Sequence, residues 1–304
     1  MAELSVTEPG AGTAPARHMD LATFSRIVDI LERERERLVV VSADGAPPPA
    51  LPEMLERLAA GSFRAMVYAG DGSGWRRTRA GLEYVFDARA MIRRLRGSTR
   101  SAQDGGVGLT LLRGCEQASL YLGVASARPP VGGLLKLLAM APNAKTVTVG
   151  VGWKAWADGP LPGARESAPR WSEGLLALVS ELTDRGVQSA FGCGLTLCCF
   201  SRKQLGRLAG MNVRWPLAHC RPQFHIDPTG LVGYCRRIRR PAANLLEIGS
   251  LMSVREGFTP LQMMGKMCPR TGALPCRSGA TEACGRGCLA DALAGWHGGT
   301  ATGG

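Results

Sequence analysis

The feature that most constrains this chain is where its thiols fall. It has 304 residues and ten cysteines; Cys115 stands by itself, and all the others lie between Cys193 and Cys288. Cysteines that merely fill core space are spread along a sequence, so a dense block in the last third needs another reason. The N-terminus, MAELSVTEPGAGTAPARHMD, lacks the basic start and apolar core of a secretory signal. A reducing cytoplasm is therefore the expected compartment, and there grouped thiols serve metal or redox chemistry more often than disulfides. No apolar run approaches the ~20 residues that a membrane-spanning helix needs.

Spacing sharpens the expectation. Cys193 is followed by Cys198 and Cys199; Cys220 and Cys235 bracket Gly230; Cys268 and Cys276 stand seven residues apart; Cys284-Gly-Arg-Gly-Cys288 is a tight turn. Thiolates are soft ligands, and glycine beside them lets two sulfurs converge on one metal or one cluster edge. A zinc site usually shows two tight C-x2–4-C knuckles. Here only the last pair has that form, and the long arch from Cys220 to Cys235 suits an iron–sulfur cluster at least as well. His219 and His225 flank or lie within that arch. Each reads first as a packing or hydrogen-bonding residue, with replacement of a missing thiolate as the alternative. Asp227, also inside the arch, reads as a turn cap.

The rest of the chain has a different texture. Residues 1–18 are rich in Gly, Ala, Pro and Thr and are expected to be a flexible tail. Asp20 can cap a helix in which Leu21, Phe24, Ile27, Val28 and Leu31 recur at helical spacing. The run from Leu38 to Val41 reads as a buried parallel strand. A helix at 52–60, a strand at 64–68, a helix at 87–96 and strands near 107–112 and over 118–124 follow. A helix at 131–140, a strand at 145–151, a helix at 171–185 and a strand at 187–191 complete the series. Alternation of this kind predicts an α/β layer on a parallel sheet, open or partly closed into a barrel. Beyond Phe191 the elements shorten and the thiols begin. The expected organisation is a tail (1–18), an α/β domain (19–191), a small cysteine-rich metal-binding domain (192–292) and a second flexible tail (293–304).

The net charge of +12 attracts anions of many kinds. Nucleic acid is not the expected partner, because no helix-turn-helix, zinc finger or aromatic ribonucleoprotein pattern accompanies the arginines. The chain also lacks a G-x-S-x-G elbow, an H-E-x-x-H pair and a G-x4-G-K-[ST] loop. Gly70-Asp71-Gly72-Ser73-Gly74 lacks the lysine of a phosphate cradle and reads as a turn. Trp153 and Trp156 read as core.

Taken together, the cysteine motifs resemble the SPASM domain of radical S-adenosylmethionine (AdoMet) enzymes. The stretch from Cys220 through Gly230 to Cys235 matches that domain's C-x9–15-G-x4-C opening, and Cys284-x3-Cys288 its close. The segment from Cys193 to Phe200 is similar to one seen just before the domain. The resemblance implies that Cys220, Cys235 and Cys288 ligate one [4Fe-4S] cluster, completed by Cys198 or Cys193, and that Cys268, Cys276 and Cys284 serve a second. It also implies a partial (β/α)6-type barrel for the front of the chain.

Two departures matter. The middle of the pattern has seven residues in both gaps rather than C-x2-C-x5-C, and no lone cysteine follows Cys288. The family's radical-generating C-x3-C-x2-C trio is absent, and its Gly-Gly-Glu-Pro turn corresponds to Asp44-Gly45-Ala46-Pro47, with a methyl group where the carboxylate would stand. AdoMet binding is therefore not expected, nor is radical generation by this chain alone. The expectation is a catalytically degenerate iron–sulfur protein. It would act as a partner or substrate-binding subunit, beside an active enzyme, in peptide or natural-product modification. The alternatives are an active radical enzyme whose first cluster motif comes from elsewhere, and a zinc-stapled binding module.

Overall fold

The computed structural model describes residues 1–8, 15–43, 46–72, 75, 78–97, 102–123, 129–150, 168–191, 200–214, 223–235 and 238–257. In chain order the first elements are β1 (Ala2–Glu8), β2 (Arg17–His18), α1 (Leu21–Arg33), β3 (Leu38–Ala43), α2 (Leu51–Ala59) and β4 (Arg64–Gly70). Then come β5 (Glu83–Asp87), α3 (Ala88–Gly97), α4 (Ala102–Gly114), β6 (Gln117–Gly123), α5 (Val131–Met140), β7 (Ala144–Gly150) and α6 (Ala168–Asp184). The last are β8 (Gln188–Phe191), α7 (Arg202–Ala209), β9 (Val213–Arg214), β10 (Phe224–Ile226), β11 (Leu231–Cys235), β12 (Ile238–Asn244) and α8 (Leu245–Ile248), with a further helix over 251–257.

The chain forms two compact units. The first gathers Met1–Ser119, Leu137–Ala144 and Pro222–Phe258. Its strands run in the order β12-β11-β10-β1-β3-β4-β5, with β2 on the end of β1. From β10 to β5 the neighbours are parallel, and β11 and β12 add antiparallel strands at one edge. The second unit gathers Leu120–Lys136, Lys145–Arg221 and Thr259–Gly304. It orders β6-β7-β8-β9, with Val147 opposite Ser189 and Ser189 opposite Val213 in parallel register. In neither unit does the sheet close on itself, so the α/β expectation holds in its open form.

Register explains why the first unit's sheet is stable. Parallel partners share a face. Ala2, Leu4, Val39, Val41, Ala65, Val67, Tyr84, Phe86, Phe224 and Ile226 therefore fall on one side, and all are buried. The buried stripes of α1 (Phe24, Ile27, Val28, Leu31) and α2 (Leu51, Met54, Leu55, Leu58) supply the apolar partner such a face needs. Each fully buried side chain of this size contributes about 1.5–3 kcal/mol. Asp20 caps α1, its carboxylate accepting from the Thr23 amide at 2.7 Å and the Thr23 hydroxyl at 2.9 Å. In the second unit Ser201 and Gln204 form a reciprocal capping box on α7, and Phe191 stacks on Phe200 with ring centroids 5.9 Å apart.

Three expectations are corrected. Ala2–Glu8 belongs to no flexible tail: it is a strand with Ala2 through Thr7 buried, held between β3 and β10. The alternation of Glu3 and Ser5 with apolar residues is a strand's period, masked by the Gly, Pro and Thr of the stretch that follows it, and those polar positions share one face of the sheet. The strand expected near 107–112 is the second half of α4. A six-residue apolar run with β-branched members reads alike as a strand or a buried helix. β5 was not anticipated at all.

The observed grouping also differs from a cut at residue 191. Residues 223–257 pack with the N-terminal strands through a set of polar clasps. Arg33 donates to the Gly249 carbonyl at 2.7 Å, and Arg26 to the Leu246 carbonyl at 3.4 Å. Glu34 accepts from the Ser250 hydroxyl and the Leu251 amide, both at 2.7 Å, capping the 251–257 helix in trans. Arg255 lies 5.5 Å over the Phe224 ring and grips Glu36 at 2.7 and 2.9 Å, while the Met1 amino group pairs with the same carboxylate at 3.0 Å. Burial pushes the Glu36 carboxyl up, but these hydrogen bonds and charges outweigh it and hold it below its usual value.

Candidate functional site

If one face of the first unit's sheet is apolar, the other is not. The same registers put Glu3, Ser5, Ser42, Tyr68, Glu83, Asp87 and His225 on the opposite side, and Ser119 reaches it from β6. Several of these are deeply buried, Glu3 at 3% and Glu83 at 8% exposure. A carboxylate at that depth is tolerated only when its oxygens are bonded. Ser42 donates to Glu3 at 2.9 Å, and Ser119 donates to Glu83 at 2.6 Å. The Arg64 guanidinium also binds Glu83, its Nε at 3.1 Å. Tyr68 donates to Asp87 Oδ2 at 3.1 Å, while Asp87 Oδ1 accepts from the Ala90 amide at 2.8 Å and so caps α3. The result is a set of buried oxygens bonded to one another along parallel strands, on a face that also carries the buried Val40 and Val85.

In open parallel sheets ligands gather at the carboxyl ends of the strands. At that end of β1 the chain turns back on itself. Thr7 pairs with His18 and Glu8 with Arg17 in antiparallel register, and the Met19 amide donates to the Val6 carbonyl at 2.9 Å. The Thr7 hydroxyl donates to the Ala46 carbonyl at 3.1 Å and meets His18 Nδ1 at 3.1 Å. Its single proton goes to Ala46, so His18 Nδ1 is the donor of the second contact. Beside it Glu8 Oε1 lies 3.2 Å from His225 Nε2. His225 Nδ1 is buried and has no hydrogen-bond partner among the described residues.

The hairpin that carries His225 is built by two residues from the cysteine arch. The Asp227 carboxylate accepts from the Thr229 and Leu231 amides at 2.8 and 2.9 Å, the turn cap expected of it. Gly230 has φ of +84°, and a Cβ there would stand 3.0 Å from Leu246 and 3.2 Å from Asn244. Only glycine fits that position. The glycine of the motif thus has a conformational cause.

Of the expected ligands, Cys235 is the last residue of β11, opposite Ile238 of β12. Cys193, Cys198, Cys220, Cys268, Cys276, Cys284 and Cys288 lie outside the described residues, as do His219, Trp153 and Trp156. No group of three metal-ligating side chains occurs among the described residues. Cys115 is separate from the block in sequence. Burial pushes its thiol up to about 12, and its sulfur donates to the Leu111 carbonyl at 3.1 Å, which makes it an inert core residue. Gly70-Asp71-Gly72 is a turn, with the Gly72 amide on the Ala69 carbonyl at 2.9 Å. Sequence reasoning missed Glu3, Ser42, Glu83 and Ser119. The one signal that could have found them is a polar residue recurring at every second position of an otherwise apolar strand.

No described helix is long and apolar enough to cross a membrane. No protein-family profile matches the chain, and no curated protein matches it in sequence. In three dimensions the chain is similar to a radical S-adenosylmethionine enzyme, native anSMEcpe with bound AdoMet and Cp18Cys peptide. The TM-score is 0.52 at 11% sequence identity, covering 91% of this chain and 87% of that one. At that identity the likeness is one of fold, a mixed α/β architecture on an open, largely parallel sheet.

Proposed function

We propose that this chain is a radical-AdoMet-fold protein that does not generate the radical itself and serves as a partner or substrate-binding subunit in peptide or natural-product modification. The observation that carries the reading is the connection from β1 to α1. In the family that the sequence resembles, the segment after the first strand holds the three thiolates of the reactive cluster. Here the first strand is present, and residues 9–20 contain no cysteine. Where the segment is described, it folds back as β2 and engages Thr7 with His18. The carbonyl of Ala46, in the turn that lacks the family's glutamate, is taken up by Thr7.

The polar sheet face supports a binding role. Its carboxylates and hydroxyls are engaged with one another, and what they add is a rigid scaffold beneath a binding surface rather than free donors and acceptors. The fold neighbour was solved with a peptide bound. An iron–sulfur cluster held by the C-terminal thiols would supply structure or electron transfer to an active partner.

The test is anaerobic purification with reconstitution, followed by AdoMet and a strong reductant. This chain alone should release no 5′-deoxyadenosine, and an active partner enzyme should turn over its peptide faster in its presence. AdoMet cleavage by the isolated chain would overturn the reading. Stoichiometric zinc in a colourless protein would replace the cluster with a structural staple.

A further inference from the structure

The helix that follows β5 carries positive charge that its surroundings do not balance. α3 reads ARAMIRRLRG, with four arginines and no acid. Its buried Ala88, Met91 and Ile92 fix which side faces the core. At 3.6 residues per turn, Arg89, Arg93 and Arg96 then fall within about 60° of one another, spaced about 6 and 4.5 Å along the axis. Arg94 lies outside this row and pairs with Asp71 at 2.9 Å.

The row is not an ordinary solvated face of mixed sign. The described carboxylates of β5 and of the turn before it are engaged elsewhere. Asp71 holds Arg94, Asp87 accepts from Tyr68 and the Ala90 amide, and Glu83 is bound by Ser119 and Arg64. Arg93 and Arg96 are exposed and make no ion pair among the described residues. Arg89 is half-buried, and burial and the Arg93 charge push its guanidinium down, with Asp87 opposing them. Like charges one turn apart destabilise a helix, so this row is kept against its own repulsion.

We propose that Arg89, Arg93 and Arg96 form a docking surface for an acidic helix of a partner protein. Guanidinium groups bind carboxylates in a planar fork, and glutamates at i, i+4 and i+7 of a helix repeat the spacing of the row. Nucleic acid is the poorer match, because α3 has no aromatic side chain on which a base could stack. The inference goes beyond the function proposed above and does not rest on it, since neither the thiols nor AdoMet take part. Exposed ion pairs are individually weak, so the contact is steered by charge and sensitive to salt.

The experiment uses the full chain and a fluorescein-labelled, alanine-rich helical peptide with glutamate at i, i+4 and i+7, read by fluorescence anisotropy at low ionic strength. Wild-type protein should bind it, and the affinity should fall as salt is added. Arg93→Gln and Arg96→Gln should each weaken binding, by up to about fivefold, and the double variant should weaken it further. Arg185→Gln removes the same charge from an exposed pair with Glu181 and should leave binding unchanged. A peptide with glutamine in place of glutamate should not bind. Arg93→Gln should also keep or raise the urea midpoint, because its repulsion with Arg89 is gone. Absence of binding at low ionic strength would overturn the proposal, and so would an equal loss in Arg185→Gln, which would make net charge the cause. A lower urea midpoint in Arg93→Gln would make the row structural and overturn it too. Tighter binding of a single-stranded oligonucleotide of the same charge would assign the surface to nucleic acid instead.

Discussion

A single methyl group at Gly108 tests how the first unit is packed. Gly108 lies in α4, a helix that contains three other glycines before its last turn is complete, and such a residue normally invites replacement by alanine. On an exposed helix that change stabilises by about 1 kcal/mol. At Gly108 a Cβ would stand 2.2 Å from the Asp71 carbonyl oxygen and 3.3 Å from its carbon. An ordinary contact between carbon and oxygen needs roughly 1 Å more than the first of these distances. The obstacle is backbone and cannot swing aside. Its turn is closed by the Gly72 amide on the Ala69 carbonyl at 2.9 Å, and the Asp71 side chain is paired with Arg94 at 2.9 Å. Gly72 itself has φ of +80° and touches Gly108.

Overpacking of this kind costs about 1–3 kcal/mol and sometimes more. Subtracting the helix gain of about 1 kcal/mol leaves Gly108→Ala destabilised by up to about 2 kcal/mol. Gly206, exposed in the middle of α7 with nothing within 4 Å of its would-be Cβ, is the control. Gly206→Ala should stabilise by up to about 1 kcal/mol. Urea unfolding followed by circular dichroism reads both. If Gly108→Ala matches or exceeds wild type in midpoint, the close approach of the β4–β5 turn to α4 is wrong.

Other perturbations probe separate parts of the structure. Leu4→Ala should cost about 2–5 kcal/mol, because Leu4 is fully buried in a central strand; a shift near zero in the unfolding midpoint would return residues 2–8 to the tail. The Glu36 carboxyl is held below its ordinary value near 4.5, so its contribution is fully present above that pH and fades as pH falls through the lower folded value. Glu36→Gln should therefore lose less stability than wild type between about pH 5 and pH 3, measured by urea titration at each pH; parallel losses would refute the linkage. Cys115, with its thiol at about 12, should resist iodoacetamide in the native protein and react once unfolded, as peptide mapping by mass spectrometry would reveal. Rapid native labelling would contradict its burial.

Much of the fold was legible in the sequence because local physics was enough to write it. The helix after Asp20 follows from a capping carboxylate and a 3.6-residue apolar period. The strand at Leu38 follows from a short β-branched run bounded by a turn, and the turn at Asp227 from an aspartate two residues before a backbone amide it can bind. The thiol block and its spacing likewise belong to the sequence alone, and so does the absence of cysteine from residues 9–20.

What the sequence could not decide was anything that depends on a distant neighbour. Whether AELSVTE is a tail or a central strand depends on β3 and β10, which are 30 and more than 200 residues away in the chain, and on Ser42, whose hydroxyl meets Glu3 at 2.9 Å. Whether the run from Val107 to Leu112 is strand or helix is likewise settled outside the run, which here forms part of a helix packed at Gly108 against the turn at Asp71. His225 reads in sequence as an ordinary polar residue. Only the pairing of β1 with β10 brings its ring to Glu8 and leaves one buried nitrogen open. Local propensity acts over a few residues, while burial and hydrogen-bond satisfaction are settled by contacts across the sheet.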